Sequence, residues 1–135
     1  MGRRGTRPGP AELTDGEERR HWAEVSAERL LTGLGWLLLA RNYRLRGGEL
    51  DLVYDDMGTL VFVEVRQRAT VRYGGAAESI DGRKLSRLRR TAAHFLAYGP
   101  RPEGHDGDAR VRFDAVLVTG REDDHVLDHL RDVIG

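Results

Sequence analysis

Apolar residues return at helical intervals from about Glu17 to Leu34, through Trp22, Val25, Ala27, Leu30, Leu31 and Leu34. Gly33 and Gly35 supply the stop signal. The pattern then changes period. Trp36–Tyr43 reads as a strand, Arg46-Gly47-Gly48 as a turn, and Glu49–Tyr54 alternates acidic and apolar positions with period two. A turn at Asp55–Gly58 leads into Leu60–Val65, an apolar, β-branched strand. Ala69–Ser79, with Gly74-Gly75, is a loop. Asp81 is placed to cap a second helix, Arg83–Tyr98, whose inward residues are Leu85, Leu88, Ala92, Phe95 and Leu96. After the Pro-, Gly- and Asp-rich loop Gly99–Asp108, Val111–Thr119 is a fourth strand, and a last element of unassigned type follows near Val126–Ile134. The predicted order is α-β-β-β-α-β: one mixed sheet flanked by helices, an α/β architecture. Met1–Asp15 has no periodicity and reads as a flexible arm ahead of a single domain, 16–135.

Composition narrows the function classes. The 135 residues include 22 basic and 22 acidic side chains, which excludes a uniformly basic or acidic binding tract. With no cysteine, disulfides, thiolate metal sites and thiol nucleophiles are excluded. The strongly apolar run Trp36–Ala40 is far short of the roughly 20 residues of a spanning helix. No signal peptide is evident, so a cytoplasmic, non-membrane protein is expected. The balanced charge is nonetheless uneven. Residues 66–90 hold eight basic side chains (Arg66, Arg68, Arg72, Arg83, Lys84, Arg87, Arg89 and Arg90) against Glu78 and Asp81. A basic stretch in a neutral chain suggests a patch for an anionic partner; a solvated helix face is the plainer alternative. Lys84 is the only lysine of the chain.

Asp51 and Glu64 are the informative residues. Each lies inside an apolar strand, where a carboxylate is costly unless partnered. Period-two geometry puts Glu49 and Asp51 on one face of their strand, and Glu64 and Arg66 on one face of the next. If the two strands form a hairpin, three carboxylates and a cation converge. Such oxygens suit a hard cation: Mg²⁺ takes one or two protein carboxylates and keeps water and substrate phosphate as its other ligands. The ion polarises a phosphodiester and activates water. A cross-strand salt bridge is the competing account of any single carboxylate, and of Asp114, which has Arg112 two residues before it.

The strings GGELDLV (47–53), FVEVRQR (62–68), GWLLLARNYR (35–44), RYGGAAESIDGRK (72–84) and RFDAVLV (112–118) resemble, in the same order, the YraN-like (UPF0102) family. That family is described as endonucleases of the restriction-endonuclease-like fold. The resemblance runs from about Glu17 to the C-terminus. Nucleases of that wider class carry an acid on one strand and an acidic-x-basic triplet on the next. Carried over by position, this implies Asp51 as the first acid, Glu64 as the second, and Arg66 at the basic place, with Glu49 in a supporting catalytic role. Archaeal Holliday junction resolvases have a similar layout with a further Glu on the first helix, which implies Glu24 as an additional metal ligand beside Asp51 and Glu64. The resemblance also implies hydrolysis of DNA phosphodiesters, on branched or damaged DNA, with Mg²⁺ or alternatively Mn²⁺. One departure stands out: lysine is usual where this chain has Arg66. Arginine binds phosphate but does not serve as a base. Lys84 could reach the carboxylates from the second helix, though no sequence feature requires it.

Arg68, Arg72, Arg83, Lys84, Arg87 and Arg90 are the candidate contacts to the nucleic-acid backbone. No phosphate-loop, dinucleotide or GxSxG motif is present, so no nucleotide cofactor is expected. His125 and His129 are spaced as a helical pair able to bind a transition metal, but no third ligand has convincing spacing and surface histidines are the plainer reading. Two alternatives remain: a nucleic-acid-binding module that keeps the nuclease fold without cleavage, and a protein-interaction module with salt-bridged carboxylates. A homodimer is compatible with the sequence, but no patch demands one.

Overall fold

A computed structural model describes residues 21–68, 82–102 and 110–134. Helix α1 (Trp22–Thr32) is followed by strands β1 (Leu37–Leu45), β2 (Gly48–Asp56) and β3 (Thr59–Arg68), helix α2 (Gly82–Tyr98), and strands β4 (Arg110–Arg121) and β5 (Asp124–Leu130). The five strands form one mixed sheet in sequence order. The β1–β2, β2–β3 and β4–β5 pairs are antiparallel, and β3–β4 is parallel. A parallel pair cannot be closed by a tight turn, and the intervening chain carries α2 as its crossover element.

The turns follow from residues that tolerate positive φ. Gly47, at +84°, sits in the β1–β2 hairpin, and Met57 and Gly58, at +49° and +100°, form the β2–β3 turn. Gly48 serves another purpose. A Cβ there would meet Thr91 Oγ1 at 2.1 Å and the Arg87 carbonyl at 3.3 Å, so its missing side chain lets α2 lie close on the hairpin.

Alternation along the central strands divides the core into two faces. On one, Leu52, Tyr54, Val61, Val63, Val116 and Val118 pack with Ala23, Ala27 and Leu31 of α1 and with Trp36. On the other, Val53, Leu60 and Phe62 pack with Leu88, Ala92 and Phe95 of α2. The buried Tyr54 hydroxyl on the first face is satisfied: it donates to the Glu28 carbonyl at 3.2 Å and lies 2.9 Å from Thr32 Oγ1. Leu50 breaks the alternation. It differs in parity from Val53 yet joins the α2 face, so β2 rolls over between Leu50 and Leu52.

The predicted mixed sheet with flanking helices is observed, with one addition. The element of unassigned type is strand β5, completing a fifth position. This overturns the helical spacing of His125 and His129: on a strand, residues four apart are separated by about 13 Å, and the two histidines serve different partners. His125 Nε2 lies 2.7 Å from Ser26 Oγ, and His129 Nε2 lies 2.8 Å from Asp114. Among the described residues, no helix is long and apolar enough to cross a membrane. The N-terminal arm, the Gly74-Gly75 loop, Asp81 and Arg72 lie outside the described residues.

Candidate active site at the parting of two strands

Strands β2 and β3 are paired from Asp56↔Thr59 up to Leu52↔Val63, and the pairing stops there. The next position on β2 is Asp51. Its side chain takes over from the backbone ladder: the Val65 N–H donates to Asp51 Oδ2 at 2.7 Å. Beyond that point β2 continues beside β1 and β3 beside β4, with a cleft of about 330 Å³ lying at the fork.

The cleft collects charge from four elements. Its acidic walls are Glu49 and Asp51 of β2, Glu64 of β3 and Glu24 of α1. Its basic walls are Arg66 of β3 and Lys84 and Arg87 of α2. Because α1 and α2 cover opposite faces of the sheet, only a gap between strands lets both helices contribute to one site.

Glu64 is held by two cations. Lys84 Nζ lies 2.5 Å from Glu64 Oε2, and Arg66 Nε lies 3.2 Å from the same oxygen. The Glu64 side chain is only 11% exposed, so these pairs act with little screening. Glu49 leans outward instead, with Oε2 3.3 Å from Arg44 Nε. Asp51 has no such relief. Burial pushes its carboxyl up to about 7; the Val65 N–H opposes this, and the negative charges of Glu64, Glu24 and Glu49 reinforce it. At neutral pH this carboxyl is poised between its two protonation states.

A cation would relieve that crowding, and the donors suit a hard one: Asp51 and Glu64 offer carboxylate oxygens across the fork. Among the described residues, no three His, Asp or Glu side chains close into a ready-made ion cage. Glu24 lines the cleft and acts on Asp51 through its charge, without joining such a cage.

The basic candidates divide by position. Arg87 lines the cleft, whereas Arg83 and Arg90 are exposed on α2, and Arg68 ends β3 opposite Thr119. Lys84 has a part the sequence did not require, as the closest cation to Glu64. The available signal was its helical register: Lys84 precedes Leu88 by four residues, which aligns it with the inward face of α2. The Val65 N–H was not legible as Asp51's donor, because regular pairing would have spent it on the ladder.

A model described as the uncharacterised protein family UPF0102 matches residues 23–118. The chain belongs to the UPF0102 family. A UPF0102 protein of Nitrosomonas europaea is 48% identical over 104 residues, covering 77% of this chain and 83% of the relative. One from Halorhodospira halophila is 45% identical over 118 residues, covering 87% and 91%. One from Frankia casuarinae is 47% identical over 98 residues, covering 73% and 79%. Every cleft residue from Glu24 to Lys84 falls within the matched UPF0102 span.

Proposed function

We propose that this UPF0102 protein is a metal-dependent endonuclease-like phosphodiesterase acting on DNA, with branched or damaged DNA as the substrate class. The observation that carries the reading is the convergence of Asp51, Glu64 and Lys84 at the fork between β2 and β3. Asp51 and Glu64 would hold Mg²⁺, or Mn²⁺ in its place. When bound, the ion supplies a Lewis acid for the phosphate and lowers the pKa of a coordinated water.

The chain's own residues account for the rest. The Val65 N–H fixes the Asp51 carboxylate, which lines the cleft. Lys84 orients Glu64 and brings an ammonium to the place where charge develops on the phosphate. Lysine is thus supplied from α2, whereas the strand position that usually carries it holds Arg66. Arg66 and Arg87 offer guanidinium donors to phosphate oxygens. Glu24 and Glu49 keep the cleft negative and favour cation capture.

The engagement of Glu64 by both Lys84 and Arg66 also favours a second reading, a nucleic-acid-binding module without turnover. One experiment separates them. Labelled linear, flap and four-way-junction DNA are incubated with wild-type protein and the Asp51→Ala/Glu64→Ala double variant, in EDTA, Mg²⁺ or Mn²⁺, and run on native and denaturing gels. Metal-dependent cleavage that the double variant lacks supports the nuclease. Binding without cleavage, equal in both proteins, supports the module. Neither binding nor cleavage would sink both.

A further inference from the structure

We propose that one stripe of α2 is a track for an unpaired nucleic-acid strand, running from the carboxylate cleft to a base-stacking platform made by Tyr98 on His94. The proposal rests on the functional reading above for its partner class, and it names the strand form that the site would take. Arg83, Arg87, Arg90, His94 and Tyr98 follow one another at intervals of four, three, four and four. At 3.6 residues per turn they share an arc of about 80°. The stripe is continuous with the cleft, because Arg87 lines it. Arg90 reaches over the β1–β2 turn: a Cβ on Gly47 would lie 3.2 Å from its terminal nitrogen. Exposed Arg46 precedes that glycine. The whole of α2 contains no acidic residue. Its outward face therefore attracts phosphates with nothing on the helix to repel them.

Tyr98 changes the character of the stripe. It is 77% exposed, and among the described Phe, Trp and Tyr residues only Tyr98 falls in the exposed class. Its ring lies 4.7 Å from that of His94, centroid to centroid. His94 is itself braced: its Nδ1 shares a 2.6 Å hydrogen bond with the Tyr43 hydroxyl, and the Tyr43 ring packs edge-on against buried Phe95. An exposed aromatic ring on a fixed support, about 16 Å along the helix from Arg87, has little to offer a duplex, whose base faces are already stacked. It suits an unstacked base, and the preceding arginines suit the backbone leading to it.

The test is binding in EDTA, so that it does not depend on cleavage. Fluorescence anisotropy measures the affinity of the full chain for a labelled poly-dT strand and for a duplex. Tyr98→Ala is expected to weaken strand binding about tenfold while leaving duplex binding within about twofold; Tyr98→Phe retains affinity. Arg83→Glu/Arg90→Glu weakens both and flattens the salt dependence. A Tyr98→Trp reporter is expected to be quenched by the strand. The track is overturned if Tyr98→Ala binds the strand like wild type, if strand and duplex lose affinity equally, if wild type does not bind the strand at low salt, or if an acidic peptide competes as well as the strand. Failure of the cleavage reading looks different: strand binding through Tyr98 with no metal-dependent cleavage removes the nuclease and leaves the track. Cleavage that depends on Asp51, with strand affinity unchanged by Tyr98→Ala, does the reverse.

Discussion

Two aspartates sit inside strands of the same sheet, and the fold treats them in opposite ways. Asp114 on β4 is 1% exposed and fully provided for. Arg112 grips it with two guanidinium nitrogens at 2.8 and 3.0 Å, His129 Nε2 lies 2.8 Å away, and the Asp132 N–H donates at 3.0 Å. Burial alone would raise its carboxyl, but Arg112, the Asp132 N–H and His129 together hold it below the ordinary range. Asp51 on β2 receives one backbone N–H, and the groups around it that act on its ionisation are carboxylates. The contrast separates two uses of a buried acid. Asp114 ties β4, β5 and the chain after β5 together. Asp51 is kept in an environment that its ionised form dislikes, which under the proposed function suits chemistry rather than stability.

Removing each provision should break this contrast in its own way. The largest effect on stability belongs to Asp114→Ala, which takes the two closest contacts from Arg112, leaving it Asp56 at 3.5 Å, and leaves the Asp132 N–H and His129 without their acceptor. It should cost about 3–5 kcal/mol in urea-induced unfolding, without a specific effect on any cleavage that survives. If Asp114→Ala instead unfolds like wild type, the cluster around it is decoration.

At the cleft the order reverses. Lys84→Met should lower cleavage on the order of a hundredfold while moving the unfolding midpoint little, since the side chain is part-exposed at 27%. Equal losses of activity and stability would mean that Lys84 merely anchors α2.

The smallest effect is the most diagnostic. The Asp51 carboxyl, raised to about 7 in the fold, sits well above its unfolded value. Between roughly pH 4 and pH 7 the folded protein therefore holds a proton that the unfolded chain has released. In metal-free protein Asp51 thus lowers stability as pH rises through that window. Asp51→Asn keeps an acceptor for the Val65 N–H and cannot ionise. It should stabilise the metal-free protein by about 2–4 kcal/mol near pH 8, with the gain gone near pH 4. Asp114 works with the opposite sign: its depressed value contributes stability above the unfolded range, lost as pH falls through it. Urea melts across pH check both directions.

How legible this was in the sequence differs between the same two regions. The alternation in Glu49–Tyr54 and the apolar, β-branched run Leu60–Val65 were enough to find the hairpin. It was also enough to pick out Asp51 and Glu64, since an acid inside an apolar strand is conspicuous. What alternation could not show was the fork. The roll of β2 at Leu50, the capture of the Val65 N–H by a side chain and the arrival of Lys84 are consequences of tertiary packing, and the close approach of α2 depends on the missing Cβ at Gly48. Around Asp114, the Arg112 partner two residues away was readable from strand spacing. His129 was not: its four-residue spacing from His125 imitates a helix, and only the pairing of β5 with β4 brings it to Asp114.

The central claim is that the Asp51–Glu64 fork is built to receive a cation, and metal-linked stability tests it most directly. Thermal unfolding of wild-type protein and of Asp51→Asn/Glu64→Gln is followed near pH 7.5 while Mn²⁺ or Mg²⁺ is added. A ligand that binds only the folded state raises the midpoint in a saturable way. The account predicts that rise in wild type, its reversal by EDTA, and its absence from a double variant that still unfolds cooperatively without metal. A wild-type midpoint indifferent to either ion, or a rise of the same size in the double variant, would contradict it.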